Sequence, residues 1–172
     1  MFQRVLVALD STKGSDHVFE KALSLAKNDH ATLLLLHVLS GEERGSPNIP
    51  LSPILDYYPQ ASSKAVENYQ KQWRIFEEKC LHQLNAYRDE ATVEGVTSEV
   101  KQQLGSPGLT VCEVAQTWQA DLIVMGSRGH SLLRQLVLGS VSNYVLHHSP
   151  CSVLIIYPER EPSAQVEKVN GS

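Results

Sequence analysis

The apolar residues of this chain switch repeatedly between two spacings, and that alternation restricts the fold more than any other feature. Arg4–Leu9 is a short, nearly continuous apolar run, as expected of a strand covered on both faces. From Ser15, a candidate N-cap, the residues Val18, Phe19, Ala22, Leu23 and Ala26 fall on one helical stripe. A second two-sided run occupies residues 32–38. A polar third strand is expected at 97–104, where Ser98, Glu99, Lys101, Gln102 and Gln103 suit a sheet edge. Ser106-Pro107 then reads as a cap and first-turn proline opening a helix to about residue 119. A fourth strand at 121–125, a helix at 139–148 and a fifth strand at 152–157 complete the series. Strands separated by helices run parallel. The expected class is therefore α/β, a three-layer α/β/α sandwich around a five-stranded parallel sheet.

The pattern breaks at residues 40–62, where Pro47, Pro50, Pro53, Pro59, Gly41 and Gly45 exclude a regular element. Such a loop is either a functional flap or a mobile connection. A long helix follows over about 63–91, with Val66, Tyr69, Trp73, Phe76, Cys80, Leu84 and Tyr87 stepping by threes and fours. At that length it spans about 40 Å and overhangs the sheet. The chain is read as one domain over 1–158, with 159–172 a polar, disordered tail.

With 172 residues, 42% of them apolar and 20% charged, the chain has material for one core and no general signature of disorder. Nineteen acidic against fifteen basic residues give a net charge of −4. That argues against nonspecific nucleic-acid binding, which rests on a basic stripe, and leaves small anionic ligands open. No apolar stretch approaches the roughly 20 residues of a membrane span. The N-terminus reaches Asp10 without a cleavage site, so no signal peptide is expected. Cys80, Cys112 and Cys151 include no Cys-x-x-Cys pair, which fits reduced, buried thiols in a cytoplasmic protein.

In doubly wound sheets, ligands sit beyond the carboxyl ends of the strands, where the winding reverses. The loop after the fourth strand runs from Gly126 to Ser140 with the spacing Gly-x2-Gly-x9-Gly-Ser, its glycines at 126, 129 and 139. Gly126 and Gly129 allow sharp turns that expose backbone amides. Gly139 and Ser140 stand at the head of the last helix, where unpaired amides and the helix dipole favour phosphate. The spacing is neither the Walker pattern nor the dinucleotide fingerprint. Taken alone, Gly139-Ser140 is more often a turn and a cap than a binding site. On the same logic, valine at Gly126 or Gly139 should block phosphate by adding a Cβ where it must approach, and leave the fold intact.

At these residues the chain resembles the universal stress protein family, in its ATP-binding branch. The likeness covers residues 3–157. It includes Val-Leu-Val-Ala-Leu-Asp at the start, His37-Val38, Asp121-Leu-Ile-Val-Met-Gly126, the glycine spacing, and Ser149-Pro-Cys-Ser-Val-Leu-Ile-Ile156. The resemblance implies a Rossmann-like strand order 3-2-1-4-5 and an adenine nucleotide, ATP or else AMP or ADP, in the crevice. Asp10 would bond ribose or adenine, and Val38, Ala8 and Leu9 would line the adenine. Met125, Gly126 and Gly129 would hold ribose and inner phosphates; Gly139, Ser140, Val141 and Ser142 would receive the outer ones. Arg128, His130, Arg134 and Lys13 either touch phosphates or are solvated. Magnesium or manganese would ride on the phosphates, since no metal-ligand cluster is evident.

Phosphoryl transfer needs a positioned nucleophile and usually a carboxylate-held metal, and no motif here supplies them. A nucleotide-dependent regulator of the stress response, acting on unidentified protein partners, is therefore expected ahead of a slow ATP hydrolase or a cAMP- or AMP-binding member. The fifth strand, apolar on both faces and at a sheet edge, suggests a homodimer through residues 152–157.

Overall fold

A computed structural model describes residues 1–48, 59–127 and 138–158. Its elements are β1 (Arg4–Leu9), α1 (Gly14–Asp29), β2 (Thr32–Leu39), α2 (Pro59–Val93), β3 (Ser98–Leu104), α3 (Pro107–Trp118), β4 (Leu122–Gly126), α4 (Ser140–His148) and β5 (Ser152–Ile156). The five strands form one sheet in the order β3-β2-β1-β4-β5. Every neighbouring pair is parallel. The α/β class, the strand order and the placement of β3 and β5 at the edges agree with the sequence expectation.

Strand alternation sorts the apolar residues into two cores. Val5, Val7 and Leu9 of β1 join Leu33 and Leu35 of β2 and Val124 of β4 against Phe19 and Ala22 of α1 and Leu84 and Tyr87 of α2. Their neighbours Leu6, Leu34, Leu36, Val38, Ile123 and Met125 face the opposite way, onto Val111 and Ala115 of α3 and Val145 of α4. Each fully buried Leu, Ile or Phe contributes about 1.5–3 kcal/mol relative to exposure. β5 follows the same rule at its edge: Val153 and Ile155 pack on the second core, Leu154 and Ile156 on the first.

Several boundaries differ from the sequence reading for local reasons. α2 begins at Pro59 and runs 35 residues, so helix stands at 59–62 where a loop was expected, while 49–58 lie outside the described residues. Proline suits the first helical turn, where its missing N–H has no intrahelical partner. α1 begins at Gly14 with Lys13 as its N-cap, and Ser15 is not the cap. The Ser15 hydroxyl turns back to the end of β1, accepting from the Asp10 amide at 2.8 Å and donating to Asp10 Oδ1 at 2.9 Å. β4 ends one residue later than expected, so Gly126 pairs with Ile156, and the Ser127 amide donates to the Ile156 carbonyl at 2.8 Å. The expected tail, 159–172, lies outside the described residues.

Candidate functional site

The carboxyl ends of β1, β2 and β4 open into a crevice of about 1030 Å³, at the upper end of the size usual for small-molecule sites. Ala8, Leu9, Asp10, Val38, Met125, Gly126, Ser140, Val141 and Ser142 all line it, together with Leu36, Pro107 and Val111. Gly139 adjoins it as the residue before α4. Arg128 and Gly129, like His130 and Arg134, lie outside the described residues.

Strand parity decides how each of these residues can act. Ala8, Val38 and Met125 face the α3/α4 side, where Leu36 and Val111 extend the same apolar wall. Leu9 packs into the opposite core, so only its backbone is available on the α3/α4 side. Gly126 has the parity of Leu9. A Cβ built on it would stand 3.3 Å from Val18 Cγ2. Valine there presses first on α1, so it is not the clean block of phosphate that the spacing suggested.

The polar end of the crevice is the start of α4. Gly139 is extended (φ −60°, ψ 158°), and no side chain among the described residues hydrogen-bonds to cap the helix. The Ser142 hydroxyl donates to the Gly139 carbonyl at 3.0 Å, a back-bond that itself takes up none of the first-turn amides. Ser140 is exposed and Ser142 is 1% exposed, so the helix head is open at its mouth and packed behind. Uncapped first-turn amides at the positive end of a helix dipole are donors for an anion.

Asp10 stands across the mouth. Its Oδ1 accepts from the Thr12 amide at 2.9 Å, the Thr12 hydroxyl at 2.6 Å and the Ser15 hydroxyl. The β1–α1 turn is thus wound around this carboxylate. The described lining carries five carboxylates, Asp10, Asp16, Glu20, Glu42 and Glu43, against Lys13, Arg44 and Lys79. A polyanion entering here would rely on the α4 amides and on neutralising cations.

The sequence reading missed Glu43. It follows β2 in an ordinary polar stretch, yet its side chain and that of His37 are each 3% exposed, and His37 Nε2 lies 3.0 Å from both carboxylate oxygens. The available signal was His37 itself, a polar residue inside an apolar strand that needs a buried partner. Behind the pair, Cys80 packs with Leu39 and Phe76. Burial and the nearby Glu43 carboxylate push its thiol up to about 11. Among the described residues, no group of three or more His, Cys, Asp or Glu is placed to hold a metal ion. No described helix is long and apolar enough to cross a membrane.

Comparison with known proteins matches the sequence profile described as "Universal stress protein family" to residues 1–157. A curated relative, the universal stress protein Slr1101 of Synechocystis sp., is 37% identical over 102 residues, covering 59% of this chain and 94% of the relative. A solved universal stress protein family protein from Arabidopsis thaliana, with AMP bound, is 25% identical with a TM-score of 0.59, covering 91% of this chain and 92% of that one. A universal stress protein solved in complex with cAMP shares the fold at 21% identity and a TM-score of 0.55, covering 91% and 97%.

Proposed function

The chain belongs to the universal stress protein family, and on that premise we propose that it binds an adenine nucleotide in the β1–β4 crevice and acts as a nucleotide-dependent regulator. The observation that carries this reading is the head of α4, capped by no described side chain, which lines the same crevice as the apolar wall of Ala8, Val38 and Met125. The wall suits a planar base, Asp10 suits ribose hydroxyls, and the amides of Ser140, Val141 and Ser142 suit phosphate. Gly126, Arg128 and Gly129 would complete the cradle between ribose and helix. ATP is the ligand proposed first, with AMP, ADP or cAMP as alternatives; the AMP and cAMP complexes of similar proteins support an adenine mononucleotide. Magnesium or manganese would bind through the phosphates and offset the carboxylates of the lining.

A regulator is preferred to a hydrolase because, among the described residues, no group of three or more His, Cys, Asp or Glu is placed to hold the metal that phosphoryl transfer usually uses. We further propose a single domain over 1–158, a homodimer through β5, a cytoplasmic location and protein partners still to be identified.

The test is direct. Purified protein is denatured and its released small molecules are chromatographed, then ATP, AMP and cAMP are titrated by calorimetry. Bound or saturable adenine nucleotide is expected. A clean extract together with no heat at millimolar ligand contradicts the reading. Phosphate release from ATP with magnesium at a steady catalytic rate would favour the hydrolase instead.

A further inference from the structure

We propose that Glu43 is a positioning residue of the crevice: held by His37, its carboxylate sets the shape of the turn after β1 that faces the ligand. The proposal rests on the nucleotide reading above for its ligand, and on the following hydrogen bonds for its mechanism.

After β2, residues 40–46 fold into a tight turn. The Glu43 amide donates to the Ser40 carbonyl at 3.2 Å and the Ser46 amide to the Glu43 carbonyl at 3.1 Å. The Ser46 hydroxyl donates to the same Glu43 carbonyl at 2.7 Å. This turn drives Glu43 inward, where a carboxylate taken from water is costly unless donors hold it. His37 Nε2 supplies one donor and the Ser11 amide, 2.8 Å from Oε1, supplies another.

The histidine's proton is placed by its other neighbour. The Gln102 amide nitrogen donates to the Glu77 carbonyl at 3.2 Å, a group that can only accept, and lies 3.3 Å from His37 Nδ1. Nδ1 therefore accepts, and the ring N–H sits on Nε2, facing Glu43. Ser11 is fastened a second time, its hydroxyl donating to the Arg44 carbonyl at 3.1 Å. The residue after Asp10 is thus bonded twice to the β2 turn, while Asp10 Oδ1 gathers Thr12 and Ser15 on the other side.

An apolar side chain could fill the space of Glu43 without the desolvation cost. What the carboxylate adds is the aim of one amide, and with it the orientation of the 10–13 turn at the crevice mouth. Glu43 itself lines that crevice, so the turn and the ligand cavity share a wall.

The experiment uses the full chain and two variants, Glu43→Ala and Glu43→Gln. Hydrogen exchange at the amides of residues 10–14 is measured without ligand, and ATP and AMP affinities are measured by calorimetry. Glu43→Ala loses both bonds, so exchange at 10–14 should rise and affinity fall by about tenfold, with β1 and β4 core amides unchanged. Glu43→Gln keeps an oxygen for Ser11 and should recover most of both. Should the alanine variant fail to fold, Glu43→Met, which fills the space but cannot accept from the Ser11 amide, carries the test with the same localised rise at 10–14. Wild-type exchange at 10–14 in the variant that lacks the acceptor, or a rise spread evenly over the sheet, overturns the proposal. A wild-type chain that binds no adenine nucleotide overturns the functional reading, whereas the exchange measurement still decides whether Glu43 shapes the turn.

Discussion

Ser140 occupies the first position of α4, where the backbone N–H has no intrahelical partner. Proline is tolerated there, and the extended Gly139 before it suits a pre-proline residue. Ser140→Pro therefore removes one candidate phosphate donor and leaves the helix standing. The expected loss is about 1.5–3 kcal/mol of nucleotide affinity by calorimetry, with a thermal midpoint close to wild type. Cys80 gives a second residue-scale prediction. Its folded pKa is raised from 9.0 to about 11, so the native thiol stays protonated and resists a disulfide reagent at pH 8, reacting only in denaturant. The contribution of Cys80 is complete below pH 9 and is lost as pH rises through about 11. A urea titration series against pH, compared with Cys80→Ala, reads it. The buried partners of such residues were hidden in the sequence: His37 was visible as an anomaly in an apolar strand, but Glu43 looked like any solvated loop carboxylate.

Between elements, α3 and α4 pack closely at Gly108. A Cβ on Gly108 would lie 2.8 Å from Tyr144 Cδ1 and 3.1 Å from Tyr144 Cβ, too near the backbone for the ring to swing clear cheaply. Gly108→Ala should destabilise by about 1–3 kcal/mol in denaturant unfolding, and much of that should vanish in the Tyr144→Ala background. The strands were legible because two-sided apolar runs such as Arg4–Leu9 leave few alternatives, whereas their order came only through the resemblance to a known family. The ends of elements were less so. Tertiary contacts decide them: the Ser15 hydroxyl is drawn to Asp10 instead of capping α1, and α2 extends back to Pro59. What a valine at Gly126 would meet was hidden for a related reason. Spacing places a glycine in a loop, but only the register of β4 shows that its missing Cβ points toward Val18.

For the molecule as a whole, the sheet has two unlike edges. β3 is mostly polar, whereas β5 offers Val153, Leu154, Ile155 and Ile156 at intermediate exposure. Pairing of β5 with a second copy would cover that edge, and light scattering should give twice the 19.1 kDa chain mass. A monomeric mass at micromolar concentration removes the dimer. The account as a whole stands on the junction of an apolar wall, an aspartate-centred turn and an open helix head in one crevice. A nitrogen–proton correlation spectrum recorded during ATP titration reads all three together. The account predicts saturable shifts, largest at the amides of Ser140, Val141 and Ser142, with Asp10 and Val38 moving in step. Shifts confined to other surfaces, or none at millimolar ATP, would contradict it.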